Sequence, residues 1–480
     1  MRRLSTSRKW LYWLALVAFG CATNPVTGRK ELAMITEQQE IAMGQQADKE
    51  VQAAIGLYPD DDLQNYVARL GKELAARSER PHLPWTFRVV NDAAVNAFAL
   101  PGGFIYVTRG LLTHLNSEAE LVSVLGHEIG HVTARHSVSQ ISKAQLASLG
   151  LGIAMILQPQ AAQAYGDLAQ TGLSVLFLKY GRDDERQADD LGLRYMVQNG
   201  YDPRAMPEVF DVLGRVSQGQ GRLPNWLSSH PDPGARAQRA STAVAGQTLD
   251  FSRLRIDRDE FLGQIDGVVF GEDPREGYFE GSLFLHPALR FQIRFPEGWK
   301  TQNQKQAVVA ISPREDAVVA LTLAPGESAE RAAREFLSQQ GIQGRQAWRD
   351  RIGGLPATSY TFDAVTQNAQ LSGVAAWVEH SGRVFRLLGY TSANRFRNYG
   401  DTLAASLASF DRVTDPRVLN VEPRRVDIVK LRDDTTLDEF VREYPSSVPA
   451  GTVALINHLD SGEQLAAGEG AKRVTGGPGR

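Results

Sequence analysis

The sequence predicts an α+β protein whose first part is mainly helical with a small edge sheet and whose later part carries an antiparallel sheet. In residues 36–80, Ile41, Val51, Leu63, Val67, Leu70 and Leu74 recur near helical spacing among charged residues. The same spacing returns in Leu121, Val124, Leu125, Ile129 and Val132. After about residue 265 the texture changes to short alternating segments, the mark of strands. The 480 residues are long enough for several cores, and 42% hydrophobic with 22% charged is an ordinary globular balance.

The elements follow in chain order. Arg2, Arg3, Arg8 and Lys9 give a basic start, and Trp10 to Gly20 has the length of a signal-peptide apolar region. It ends in Ala18-Phe19-Gly20-Cys21, which resembles a bacterial lipoprotein signal. The resemblance implies that 1–20 is removed and that Cys21 is lipidated. Ala22 in place of Asp then implies the outer membrane of a Gram-negative cell, facing the periplasm. A plain secretory signal cut nearby is the alternative, and both readings export the chain.

Residues 85–90 and 103–108 read as strands, with a break at Pro101-Gly102-Gly103. Ser117 and Glu120 form a capping box that opens the next helix. Leu146 to Leu178 is apolar, Gly/Ala-rich and broken at Pro159. Its apolar segments are shorter than the roughly 18 residues a spanning helix needs. A polar helix is expected from Asp183 to Asn199, with Gly200 after it as the cap, and Pro207 to Pro233 reads as helix then loop.

In the sheet region the strands are 289–295, 308–311, 318–323, 360–362, 373–378 and 384–390, with a helix from Ser328 to Leu337. Phe295-Pro296-Glu297-Gly298-Trp299 and Gly354-Leu355-Pro356-Ala357 resemble the PsbP-like α/β sandwich. Residues 424–474 have strand–helix–helix–strand spacing and resemble a degenerate LysM module, with Asp433-Asp434-Thr435 where that module has Gly-Asp-Thr. That resemblance implies peptidoglycan as a partner, and the departure weakens it. The expected division is a signal at 1–20, then domains at 21–265, 266–415 and 416–480, the last including a disordered tail.

Composition excludes several classes. Lys+Arg is 52 and Asp+Glu is 55, a net charge of -3 with no strongly basic half, so nucleic acid is not an expected partner. Cys21 is the only cysteine, which excludes disulfide scaffolds, Cys-rich zinc modules and iron–sulfur clusters. A metal site must use histidines and carboxylates.

His127-Glu128-Ile129-Gly130-His131 supplies them. It is H-E-x-x-H on an expected helix, so the two imidazoles four residues apart share one face and can hold one ion. Glu128, on the adjoining face, is placed to act as general base without being a ligand. A catalytic zinc needs a third protein ligand, and the candidate is Glu185 in Glu185-Arg186-Gln187-Ala188-Asp189. Asp189, four residues on, would then accept a hydrogen bond from a ligating imidazole. The alternative for this stretch is a solvated helix start, since Asp183, Asp184 and Glu185 all suit a positive helix N-terminus. His82, His114, His136, His286, His380 and His458 read as non-ligands, His136 because it lies five residues beyond His131.

The motifs together resemble the CAAX prenyl protease and HtpX group, metallopeptidase family 48, a gluzincin group. Asn96-Ala97-Phe98-Ala99-Leu100-Pro101-Gly102-Gly103, the H-E-x-x-H, Glu185-x-x-Ala188-Asp189, and His230-Pro231 with Arg236 carry the resemblance, over roughly residues 35–240. It implies a zincin-type fold, one Zn²⁺ per chain and peptide-bond hydrolysis. It places His230 in the cleft as an oxyanion donor or a latch, and Arg236 beside the ligands. Asn96, Ala97, Phe98 and Ala99 would form an edge strand that a substrate extends. The expected substrates are misfolded or unassembled envelope proteins. A latent-protease chaperone for outer-membrane proteins and a cell-wall-binding structural protein are the alternatives.

Overall fold

The computed structural model describes residues 21–143 and 179–477, apart from 33, 220–225, 227–228, 327, 366–368 and 461. The expected signal peptide 1–20 and the apolar stretch 146–178 lie outside the described residues. Contacts divide the chain into two compact units, one of residues 1–272 with 424–475 and one of residues 273–423 with the tail from 476.

In the first unit, β1 (Cys21–Thr23) and β2 (Lys30–Leu32) pair antiparallel. α1 (Glu37–Ala54) starts at a capping box of Thr36 and Gln39, and α2 (Asp61–Ala75) at Asp60, whose side chain accepts from Leu63 N. A three-stranded sheet follows: β3 (Thr86–Val90), β4 (Ala97–Leu100) and β5 (Phe104–Thr108), in the order β3-β5-β4. β3 runs parallel to β5 and β4 antiparallel to it. The turn between β4 and β5 needs glycine, since Gly102 and Gly103 have φ of +80° and +102°.

Helices make the rest of the unit: α3 (Arg109–Leu112), α4 (Glu118–Thr133), α5 (Arg182–Gln198), α6 (Ala205–Gly219), α7 (Pro233–Ala245) and α8 (Arg258–Ile265). Ser117 caps α4 by accepting from Glu120 N at 3.2 Å, as the sequence predicts. The Glu120 carboxylate, however, accepts from Asn116 N rather than closing the reciprocal bond to Ser117. Nothing in the periodicity predicted α7, because Pro231 and Pro233 read as loop; Pro233 in fact sits at the first helical position, where its missing N–H costs nothing. Every residue of α4 is buried, so this helix is the centre of the unit rather than an amphipathic surface helix. One core cluster joins α2, β3, β5 and α4 to α5–α8.

The second unit is built on antiparallel pairs. β6 (Tyr278–Glu280), β7 (Leu283–His286), β8 (Phe291–Arg294) and β17 (Asp411–Arg412) form one sheet in the order β17-β8-β7-β6. The larger sheet runs β12-β14-β15-β16-β11-β10-β9, comprising β9 (Lys300–Gln304), β10 (Ala307–Ile311), β11 (Ala317–Ala324), β12 (Ile342–Ala347), β14 (Leu355–Val365), β15 (Gln370–His380) and β16 (Arg383–Ser392). β13 (Arg351–Ile352) pairs with β14 off this path. α9 (Ala329–Leu337) and α10 (Phe396–Ala408) cover opposite faces. The alternation along β15 shows why: Ala375 and Trp377 join the cluster under α9, while Val374, Ala376 and Val378 join the cluster that holds Leu403 and Leu407 of α10. α11 (Pro416–Leu419) ends the unit.

The chain then returns to the first unit. β18 (Arg424–Lys430), β19 (Thr435–Thr436), α12 (Leu437–Glu443), α13 (Ala450–Ile456), β20 (Gln464–Leu465) and β21 (Gly470–Gly476) give strand–helix–helix–strand order, with β18 beside β21 and β19 beside β20. The sequence reading set 416–480 apart as a third domain; in the structure the cut falls at 423 and residues 424–475 pack with the first unit. Val426 exchanges backbone hydrogen bonds with Gly267 and Val268, both 2.9 Å, and its side chain enters the first unit's core. Lys472 is fully buried, and its Nζ donates to Thr113 O at 3.1 Å and Leu115 O at 2.8 Å. His458 Nε2 donates to His114 O at 2.7 Å.

Candidate active site

Two small-residue surfaces bring the site together. α4 and α5 cross where Gly126 faces Gly192 and Gly130 faces Ala188. A Cβ placed on Gly130 would lie 3.0 Å from the Ala188 backbone, and one on Gly126 3.2 Å from Gly192 Cα. That closeness puts Glu185 of α5 against His127 and His131 of α4. Just before α7, His230 enters the same place.

His127 Nε2, His131 Nε2, Glu185 and His230 Nδ1 converge, all four residues buried. The two Nε2 atoms are 3.0 Å apart, and His127 Nε2 is 3.2 Å from His230 Nδ1. Glu185 Oε1 is 3.4 Å from His131 Nε2 and 2.9 Å from His230 Nδ1. Ligands bound about 2.0–2.1 Å from a tetrahedral ion lie about 3.3–3.4 Å from one another. The separations fit such an ion, and so does the donor set: lone pairs crowded in a dry pocket repel unless a cation lies among them.

Electrostatics sets His127 and Glu185 in the state a ligand needs. Burial and the Arg236 guanidinium hold His127 down to about 3, so its ring is neutral. Burial works to raise the Glu185 carboxyl, but His230, His131 and Arg236 overcome it and keep the carboxylate ionised. Asp189 is likewise held ionised against its burial, by Arg236 and His127. Its Oδ1 is 2.9 Å from His127 Nδ1, which fixes the tautomer that leaves Nε2 free for the cluster. Arg236 donates to Asp189 from Nε at 3.1 Å and from Nη2 at 2.6 Å, and its Nη1 lies 2.8 Å from Glu185 Oε2.

Glu128 stands apart from the cluster. Neither of its oxygens meets hydrogen-bond geometry with a partner among the described residues, the Trp226 indole being the nearby donor, and Oε1 is 3.8 Å from His230 Nε2. Burial pushes its carboxyl up to about 7. A carboxylate held without partners in a dry site, and poised near neutral pH, has the properties of a general base.

The structure thus brings His127, Glu128, His131, Glu185, Asp189, His230 and Arg236 into one site. Ala97, Phe98 and Ala99 lie in β4, which packs beside α4 and is the edge of its sheet, pairing with no strand but β5 among the described residues. Asn96 immediately precedes β4, and its carbonyl accepts from Thr108 N at 3.0 Å. Cys21 lies in β1, at the start of the described residues.

Two neighbours escaped the sequence reading. Trp226 stacks on His230, with ring centroids 4.8 Å apart, and lies under the Arg236 guanidinium. No pattern marked it, since it stands alone in a stretch without periodicity. His136 was set aside because position i+5 of a continuous helix turns away from i. The helix is not continuous: Arg135 adopts φ +59°, and helix resumes at His136. That left-handed residue, held by Glu40 and the Ile35 carbonyl, swings His136 Nδ1 to 2.9 Å from His131 Nδ1.

A buried His/His/Glu cluster with an adjacent unpaired glutamate on a crossed helix pair defines a metallopeptidase-type site. Residues 61–244 match the family model described as Peptidase family M48. The chain is 31% identical to the "Beta-barrel assembly-enhancing protease" of Yersinia pestis, over 48% of this chain and 51% of that one. It is 36% identical to the "Mitochondrial metalloendopeptidase OMA1" of Arabidopsis thaliana, over 45% and 42% respectively. The chain spans about half the length of these curated relatives. Among solved structures, a cyanobacterial PsbP from Synechocystis is similar to 28% of this chain, covering 94% of that one, at 16% identity and a TM-score of 0.23.

Proposed function

We propose that this protein is a zinc metalloendopeptidase that cuts misfolded or unassembled envelope proteins in the periplasm. The observation that carries the reading is the convergence of His127, His131 and Glu185 with an unpaired, buried Glu128 inside a domain of the M48 family. The name of the bacterial relatives, a protease that enhances β-barrel assembly, supports the substrate class, and the resemblance of residues 1–21 to an export signal supports the compartment. Cys21 is the proposed lipid anchor to the outer membrane; among the described residues no helix is long and apolar enough to cross a membrane.

The ion would supply a polarised carbonyl and an activated water. The chain's own residues do the rest. Glu128 takes a proton on its carboxylate and returns it to the leaving amine. Asp189, backed by Arg236 and Arg239, keeps His127 in the ligating tautomer. The free edge of β4 takes up an extended segment through main-chain bonds, which tolerates many sequences. His230 Nδ1 sits among the ligand atoms, so we assign it a double role. At rest it would hold the ion together with His127, His131 and Glu185, as a latch; moved aside by substrate, its ring would donate to the developing oxyanion.

Cleavage of an unfolded protein such as casein tests this reading. Glu128→Gln should keep about one zinc per chain and lose most activity. Zinc loss in that variant would show that Glu128 is a ligand and not the base. Unchanged cleavage by that variant would remove Glu128 as the base, and no cleavage by the wild type would leave the chaperone reading. For the 424–475 segment, glycan binding is a separate proposal, which sedimentation of the full chain with peptidoglycan decides.

A further inference from the structure

We infer that His136 and Gln187 are positioning residues that set the tautomer of His131, and with it the metal competence of the site. The inference rests on the metal reading above and adds the groups that act behind the second histidine ligand.

The two ligating imidazoles are backed differently. His127 leans on a carboxylate, Asp189. At its outer nitrogen His131 meets His136 Nδ1 at 2.9 Å and, among the described residues, no carboxylate. One proton lies between two such nitrogens, so one ring donates and the other accepts. Which way round is decided at the far side of His136. Its Nε2 is 3.0 Å from Gln187 Oε1, an acceptor. His136 therefore carries its proton on Nε2 and gives it to Gln187. Its Nδ1 is left as a lone pair that accepts from His131 Nδ1–H. The His131 Nε2 lone pair then points at the cluster, as ligation requires.

The relay runs His131 Nδ1–H to His136 Nδ1, then His136 Nε2–H to Gln187 Oε1. If a donor replaced the Gln187 oxygen, both protons would move one place, and His131 would present N–H to the ligand cluster. Gln187 stands two residues from Glu185 on α5, so one helix supplies a ligand and sets the tautomer of another. Asp184, whose Oδ1 is 3.9 Å from His136 Nε2, also faces it, but its Oδ2 is engaged by Gln140 and by Gly181 N. His136 is buried and Tyr180 stacks on His131 at 3.9 Å, so the rings have little freedom to find other partners.

Zinc affinity of the full chain, measured by competition with a chromophoric chelator, tests the relay, together with the d–d spectrum of the Co²⁺ form. His136→Phe keeps a flat ring and removes the acceptor; zinc binding should weaken by about 10- to 100-fold. His136→Gln restores an acceptor and should recover most of that loss. Gln187→Glu keeps the acceptor and should bind zinc at least as well as wild type. Gln187→Lys offers only donors and should weaken binding as His136→Phe does. Equal weakening by His136→Phe and His136→Gln at unchanged thermal stability would overturn the hydrogen-bond role in favour of packing. Unchanged affinity in His136→Phe would overturn the inference outright. ¹⁵N-histidine spectra of the metal-free wild type give an answer independent of any variant's folding: His131 should be the Nδ1–H tautomer, and an Nε2–H tautomer would overturn it. Failure of the wild type to bind zinc would instead sink the metal reading itself.

Discussion

At the residue scale the site separates ligands from the groups that tune them, and each kind predicts a different defect. His127→Ala or His131→Ala should abolish zinc binding and Glu185→Ala should weaken it strongly, read by metal analysis after dialysis. Arg236→Ala should weaken binding less, because Arg239 still holds Asp189 at 2.8 Å. His230 gives the sharpest contrast of sign. As a latch, its removal in His230→Ala raises basal cleavage and self-cleavage; as a donor, its removal costs on the order of 10²-fold in turnover. The double role predicts faster initial self-processing and slower turnover on added casein, and wild-type rates on both counts would reduce His230 to a loop residue. The pairing of His127 with His131 was legible in the sequence because helical spacing puts i and i+4 on one face, whereas Glu185 came from the need for a third ligand and from the family motif Glu185-x-x-Ala188-Asp189. His136 was not legible, because a single left-handed residue, Arg135, undoes that spacing.

At the element scale the site depends on how closely α4 and α5 approach. Gly126 and Gly130 are not flexible points but the absence of side chains at a helix crossing. Gly130→Val would push the Ala188 backbone away and with it Glu185. Overpacking of this kind costs about 1–3 kcal/mol, and the displacement predicts weaker zinc binding even where the fold survives. A thermal midpoint and a zinc titration on the same sample check both. Gly126→Ala, with less crowding, should give a smaller version of the same defect. The sequence showed two helices with polar motifs; it held no sign of which faces meet, since close packing is a property of the pair.

At the scale of the whole molecule the chain's end belongs to its beginning. Lys472 and His458 satisfy carbonyls at Thr113, His114 and Leu115, just ahead of the catalytic helix. Deleting 424–480 should therefore expose Val426's place in the core and lower the thermal midpoint of the peptidase unit, while 273–423, with its own clusters on both sheet faces, should fold when expressed alone. The buried histidines also fix a pH dependence. Burial, with Lys472 nearby, lowers His114 to about 4 and His458 to about 3. Glu120, Lys472 and Arg258 face His458, and Gly110 O accepts from His114. In the unfolded chain both titrate near 6.5. Between those values the unfolded state binds more protons, so stability present at neutral pH falls as pH drops below about 6.5 and goes on falling toward 4. Glu120, which burial pushes up to about 7, takes up its proton in the same window and opposes this loss. The test is therefore a difference: the pair His114→Asn with His458→Asn should lose less thermal midpoint than the wild type between pH 7 and pH 5, and an equal change in both would contradict the neutral, buried state of these rings.

The sequence by itself determined the α+β class and named the candidates for the metal-binding and general-base residues. Those follow from local periodicity and from motifs within one or two turns of helix, which act over a few residues. The family resemblance already put His230 in the cleft; only the tertiary structure gave its distances to the other cluster atoms, and showed that His136 stands behind His131, that 233–245 is helical, and that the last segment packs with the first unit. Each of these depends on residues far apart in the chain meeting at one place: His230 reaches His127 across 103 positions, and Lys472 reaches Thr113 across 359. Such meetings are set by packing, and packing leaves no period in the sequence.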